Sequence, residues 1–178
     1  MISVRRIRIG EAELFKQIRL NSLHQSPSAF GSTYESALRR SPESWREQAD
    51  GAAQGSDRAT FMAFSGDAPI GISALYRDGK GTGTGEMLQV WVSPEYRGRG
   101  VAIEIMDAVF QWAAENGLKT VIALVAKDNA RALSFYRKAG FQLANDFSPD
   151  VPNAFVLMKE IDAQRADTAE ALPHAEDV

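Results

Sequence analysis

The chain has 178 residues, 44% of them hydrophobic, with 20 lysines and arginines set against 23 aspartates and glutamates and a pI near 5.5. That length buries a substantial core in one domain without staples, and the lack of any cysteine excludes disulfides, thiolate metal sites and a cysteine nucleophile together. The acidic balance argues against a nucleic-acid partner, which requires a basic face.

Only His24 and His174 are available as imidazole ligands, far apart in sequence, so no metal is expected. No apolar run approaches a bilayer span, and the first ten residues, rich in arginine, lack the apolar segment of a signal peptide. A cytoplasmic protein with no membrane partner is the expectation.

In chain order, Ile2 to Ile9 alternates apolar residues with Arg5, Arg6 and Arg8, the pattern of a strand with one wet face. From Glu11 to Leu23, Leu14, Phe15, Ile18 and Leu23 recur near helical spacing, and the helix must end before Pro27. His24, near its end, reads as a surface or capping residue. The stretch from Ser26 to Glu35 mixes turn formers with Phe30 and Tyr34. It reads as a loop that serves either as a hydrophobic anchor or as a substrate wall. Ser41-Pro42-Glu43 is an N-cap followed by proline at the first helical position, opening a short helix through Trp45 to about Gln48. Residues Asp50 to Arg58 read as a surface loop.

Two apolar runs, Thr60 to Phe64 and Pro69 to Tyr76, flank a Ser65-Gly66-Asp67 turn and predict a hairpin. The alternating glycines from Gly79 to Glu86 precede a strand rather than opening a helix, so they form a hairpin loop and not a dinucleotide fingerprint. Met87 to Val92 is the next strand. Val101 to about Glu115 is a helix whose Ala102, Ile105, Met106, Val109, Phe110 and Ala113 make one broad apolar stripe, closed by Asn116-Gly117. Thr120 to Val125 is almost wholly apolar, the pattern of a strand buried on both faces. Asp128 or Asn129 caps a helix from about Ala130 to Lys138, and the last strands run from Phe141 to Ala144 and from Asn153 to Ile161. The element order predicts an α/β domain with a mixed sheet over residues 1–162. The polar composition of residues 163–178 predicts a disordered tail or loose helix.

The chemistry concentrates between Leu88 and Phe110. There Arg97-Gly98-Arg99-Gly100-Val101-Ala102 places two glycines and two arginines where a strand hands over to a helix N-terminus, which suits an anion. A phosphate-binding G-x-x-x-x-G-K-[ST] motif is absent. Ile103 stands where a dinucleotide fold needs its third small residue.

The segment Val90 to Ala102 resembles the acyl-CoA signature Q/R-x-x-G-x-G/A of the GNAT superfamily of N-acetyltransferases, with Arg97, Gly100 and Ala102 in its three defined places. Asn129 to Phe141 is similar to that family's other signature, an Asn opening a helix with Tyr136 seven residues on and a closing Gly140-Phe141. Two signatures in the right order, together with the element order, extend the resemblance over about residues 1–162. It implies a GNAT-like fold, a largely antiparallel mixed sheet flanked by helices, and an enzyme that moves an acetyl group from acetyl-CoA to a primary amine without an acyl-enzyme.

By resemblance, Val90, Trp91 and Val92 would line the pantetheine arm, with Asn129 near it. The loop Arg97, Gly98, Arg99, Gly100, Val101 and Ala102 would cradle the diphosphate, and Tyr136 would protonate the leaving thiolate. A tyrosine of pKa about 10 giving its proton to a thiol of about 8.5 is uphill by roughly 2 kcal/mol. On spacing alone, Tyr136 reads first as an ordinary amphipathic residue of a helix facing a sheet, and the motif reverses that reading. Glu86, at the start of the central strand, is the first candidate base, and Glu35 the second. Gln89, further along the strand, cannot serve as one. Phe30, Tyr34 and Glu35 are candidate acceptor-binding residues. The acceptor class stays open between small-molecule amines and peptide or protein N-termini, and no residue pattern decides for or against a homodimer. A non-catalytic acyl-CoA-binding or regulatory module is the alternative.

Overall fold

The computed structural model describes residues 1–25, 32–146, 149 and 152–164. The chain runs β1 (Ile2–Arg6), α1 (Ala12–Gln25), α2 (Tyr34–Leu38), α3 (Pro42–Ala53), β2 (Arg58–Ser65), β3 (Ala68–Arg77), β4 (Thr84–Val92), α4 (Val101–Glu115), β5 (Thr120–Ala126), α5 (Ala130–Lys138), β6 (Gln142–Leu143) and β7 (Ala154–Glu160). The strands form one seven-stranded sheet in the order β1-β2-β3-β4-β5-β7-β6. All neighbouring pairs are antiparallel except β4 and β5, so the expected mixed and largely antiparallel sheet is present.

Period-two alternation along the strands divides the core between the two faces. On β2, Ala59, Phe61 and Ala63 pack with the stripe of α4 that includes Val101, Ile105, Val109 and Phe110. Met62 and Phe64 on the same strand face the other way, toward Phe15 and Ile18 of α1 and Trp45 of α3. Phe15 and Trp45 meet edge to face at 5.6 Å, worth about 0.5–1.5 kcal/mol beyond burial. Helix α4 thus covers one face of β1 to β4, and α1 with α3 covers the other.

Several sequence expectations shift. Strand β1 stops at Arg6, and Ile9 is exposed in a turn that Gly10 makes at a φ of +88°. The stretch up to Glu35 holds a helical turn at its end. Thr33 caps α2 by accepting from the backbone N–H of Ser36, whose hydroxyl accepts from the Thr33 N–H, a reciprocal box. Ser41 caps α3 as expected, but the helix continues to Ala53 because Ala49 and Ala52 are buried against the sheet. Only residues 54–57 are left as loop. Strand β5 is fully buried on one face only: Val121, Ala123 and Val125 join the α4 core, while the alternate residues are half-buried, beyond the reach of α1 and α3.

Two features of β4 prepare a binding site. Between Ile72 and Ala74 the β3–β4 register slips, with Ile72 opposite Trp91 and Ala74 opposite Leu88. This bulge sits on Gln89, held at a φ of 62°, a left-handed conformation that is uncommon for a non-glycine residue. Second, β4 and β5 pair only from Thr84–Thr120 to Glu86–Ile122. Beyond that point the two parallel strands separate.

Candidate active site

The separation of β4 and β5 opens at the ends of the strands from which α4 and α5 start. A cavity of about 540 Å³ lies there, lined by Val90, Trp91 and Val92 of β4, by Tyr96, Arg97, Gly98 and Gly100 of the connecting loop, by Val101, Ala102 and Ile103 of α4, and by Asn129, Arg131, Ala132 and Phe135 at and beyond the start of α5.

The connecting loop is built locally. After Val92, a 3-10 turn spans Pro94–Tyr96, and the Ser93 hydroxyl donates to the Glu95 carboxylate. That bond holds Glu95 below the usual carboxylate range. Arg97 turns back on the strand, its Nε donating to the Val92 carbonyl at 2.9 Å, so the side chain that lines the cavity also fixes the angle of the loop. Gly98 and Gly100 then adopt φ of +74° and +80°, and a β-carbon on either would meet no protein atom within 4 Å. Glycine is needed here for the left-handed backbone, and the space beside it is left to something other than protein.

Gly100 is the N-cap of α4 and supplies no side-chain cap, so the first backbone N–H groups of the helix lack intrahelical partners. Across the cavity α5 begins at Asn129, whose side chain accepts from the Ala132 N–H at 3.1 Å. Two helix N-termini therefore border one cavity, each with the positive end of its dipole toward it.

Of the residues singled out from sequence, Val90, Trp91, Val92, Arg97, Gly98, Gly100, Val101, Ala102 and Asn129 border the cavity. Arg99 does not; its guanidinium lies over the Tyr96 ring at 5.5 Å. Tyr136 is not a lining residue either. It is half-buried, with its ring 5.2 Å from Phe141 and 5.7 Å from Phe135, and burial pushes its phenol up to about 12. Phe135 takes the lining position, and helical spacing accounts for it: Asn129, Ala132 and Phe135 recur every three residues along one face. Sequence reasoning passed over Tyr96, Ile103, Arg131, Ala132 and Phe135. The three-residue recurrence from Asn129 was the signal available for Ala132 and Phe135.

Glu86 is half-buried and lies opposite Tyr76 across the β3–β4 pair. Directly opposed residues share a face, and Tyr76 accepts a 3.0 Å bond from Gln48 of α3, so Glu86 stands on the α1–α3 side, at the foot of the separation. Glu35 is exposed on the first turn of α2, and the Tyr34 ring lies 5.1 Å from His24. Phe30 falls outside the described residues. Among the described residues no group of three or more His, Asp or Glu side chains is placed to hold a metal, and no helix is long and apolar enough to cross a membrane.

A sequence profile described as the acetyltransferase (GNAT) family matches residues 23–141. The chain belongs to the GNAT family. Its fold agrees with solved GNAT structures. A GNAT-family acetyltransferase from Streptococcus pneumoniae superposes with a TM-score of 0.73 at 16% identity, over 91% of this chain and all of that one. The PaiA N-acetyltransferase of Thermoplasma acidophilum, solved in complex with coenzyme A, gives 0.71 at 20% identity, over 90% of this chain and 99% of that one. In sequence, the uncharacterized N-acetyltransferase YobR of Bacillus subtilis is 34% identical over 59 residues, 33% of this chain and 24% of that protein. The alignments to curated GNAT relatives cover between 20% and 38% of those proteins' lengths.

Proposed function

We propose that this GNAT protein transfers an acetyl group from acetyl-CoA to a primary amine of a small molecule or peptide. The observation that carries the reading is the cavity between the separated strands, where an uncapped α4 N-terminus and two left-handed glycines with open space beside them face the N-terminus of α5. Such a place suits a diphosphate: it offers backbone donors, a dipole and room for the backbone to approach. Arg97 fits the same ligand. Only its Nε is engaged, leaving the rest of its guanidinium without a hydrogen bond among the described residues. The coenzyme A held by the Thermoplasma relative supports the same assignment.

Bound acetyl-CoA would supply an activated thioester carbonyl. The chain's own residues would do the rest. Val90 to Val92, unpaired on their β5 side, would meet the amides of the pantetheine arm, and Asn129 would keep the α5 N-terminus in place beside it. Tyr136, raised by burial to about 12, would keep its proton at Oη throughout the neutral range. Full transfer to a free thiolate of pKa about 8.5 would be uphill by roughly 5 kcal/mol. Tyr136, one residue beyond the lining Phe135 and outside the cavity wall, would therefore serve as a hydrogen-bond donor only once its ring leaves Phe141 for the sulfur, its proton moving as the sulfur takes on charge. Glu86 is the candidate base, reached through water from the α1–α3 side, with Glu35 as the second.

The test is thiol release from acetyl-CoA across a panel of polyamines, amino acids, aminoglycosides and short peptides, beside calorimetry with coenzyme A. Saturable turnover of at least one amine is expected. Binding without release for any amine, with Tyr136→Phe silent, is the behaviour of an acyl-CoA-binding module and would refute transfer.

A further inference from the structure

Helix α1 carries its buried residues at Phe15, Ile18, Ser22 and Leu23. Arg19 falls four residues after Phe15 and four before Leu23, on the same stripe, so the helix turns a guanidinium toward the sheet where an apolar side chain is expected. Arg19 Nη1 reaches Ser22 Oγ at 3.3 Å, and its neighbours in the electrostatic field are Tyr76 of β3 and Arg40, which follows α2. Among the described residues no carboxylate forms an ion pair with it. Burial pulls Arg19 down to about 10, and the nearby Arg40 adds to that.

Arg40 is accounted for structurally. It donates to Ser44 Oγ at 2.9 and 3.0 Å, and its guanidinium stacks 3.9 Å over Trp45. Arg19 has no such arrangement. A desolvated cation without a counter-charge among the described residues, beside a second cation, is costly unless something else brings the anion.

On the same face of the sheet, one side chain of β4 is left uncovered. Leu88 lies opposite Ala74 on the same face as Tyr76 and Glu86, and 36% of it is exposed, whereas its neighbours Met87 and Trp91 are buried. An amine lying on this strip has Glu86 on the same face of the sheet as the fork of Arg19.

We infer that the acceptor is an amine that also carries a carboxylate, and that Arg19, with Arg40 adding to the field, is the residue that reads it. The inference rests on the acetyl-transfer reading above. Planar, bidentate pairing with a carboxylate is what a guanidinium does best, and it would restore the missing counter-charge.

The experiment uses matched sets on the full chain: L-amino acids, their carboxamides, the decarboxylated amines and the aminophosphonate analogues. Each is read by thiol release and by the thermal shift of the protein with and without coenzyme A. Wild type is expected to use the carboxylate at least tenfold better than its amide in kcat/KM. Arg19→Gln should raise KM for the carboxylate tenfold or more while changing the amide less than twofold. Arg19→Lys, which keeps charge and stem but loses the fork, should fall between them and serves as the control for folding.

Equal or better use of the amide or decarboxylated amine overturns the inference. So does an equal loss on both members of a pair in Arg19→Gln, a tenfold preference for the phosphonate, or no turnover and no shift with any carboxylate. An Arg19-dependent shift in a protein that does not bind coenzyme A keeps this inference and refutes the donor site instead.

Discussion

Replacing Gly100 by alanine separates two reasons for a glycine. At a φ of +80° an alanine must take the left-handed conformation, which costs about 1–2 kcal/mol. For a chain of this size that lowers Tm by about 2–8 °C. Gly117, at the far end of α4, has a φ of +73° and equally open surroundings, so Gly117→Ala should lose a similar amount of stability. The two differ only in what the open space faces. At Gly100 the added methyl stands at the uncapped helix N-terminus, where it pushes an approaching diphosphate away from the backbone donors. Losing one charge-assisted hydrogen bond costs about 1.5–3 kcal/mol, so Gly100→Ala should weaken coenzyme A binding about 10- to 150-fold. Gly117→Ala should leave it within about twofold. Calorimetry with coenzyme A and thermal melting of the three proteins give both quantities. Unchanged affinity in Gly100→Ala, or equal losses in the two variants, would refute the assignment of this loop to the diphosphate.

Tyr136→Phe should leave the Kd for coenzyme A unchanged and lower kcat about 10²- to 10⁴-fold, the usual range for a general acid; steady-state kinetics and calorimetry decide it. Because burial raises the Tyr136 phenol from about 10 to about 12, the folded protein holds that proton more tightly than the unfolded chain. The contribution is complete below pH 10 and is lost as pH rises through 12, at most about 2–3 kcal/mol. Denaturant titrations from pH 9 to 12 should show this loss in wild type and its absence in Tyr136→Phe. Asn129→Ala removes the cap on the Ala132 N–H, so it should cost about 1 kcal/mol. Faster hydrogen exchange at Ala132 and a Tm lower by about 2–4 °C would register it.

Much of this architecture is written in local patterns. The Ser41-Pro42 start of α3, the apolar stripe of α4 and the Asn129 cap of α5 each depend on residues a few positions apart, and each appears where spacing puts it. What the sequence withheld depends on distant partners. Helix α3 outruns its expected end because Ala49 and Ala52 find a sheet to bury against, although alanine and glycine in series look like loop. The bulge at Gln89 is a relation between β3 and β4, and no property of Gln89 announces it. Phe135 and Tyr136 are adjacent, and only the docking of α5 decides that the first lines the cavity while the second turns toward Phe141. Arg19 looks like any helix-surface arginine until the stripe around it is seen to be buried.

Sheets usually keep their unpaired edges at the rim, where short strands or charges discourage docking by other chains. This one keeps a vulnerable edge in its middle. Past Glu86 and Ile122, both β4 and β5 turn backbone donors and acceptors toward the gap. On the proposed function the gap is a slot for an eighth, non-protein strand, and an extended peptide would compete for it by the same hydrogen bonds as an amide-bearing cosubstrate. Solubility and ligand occupancy would then be one property: the form whose slot is filled would also be the form with least edge to offer its neighbours.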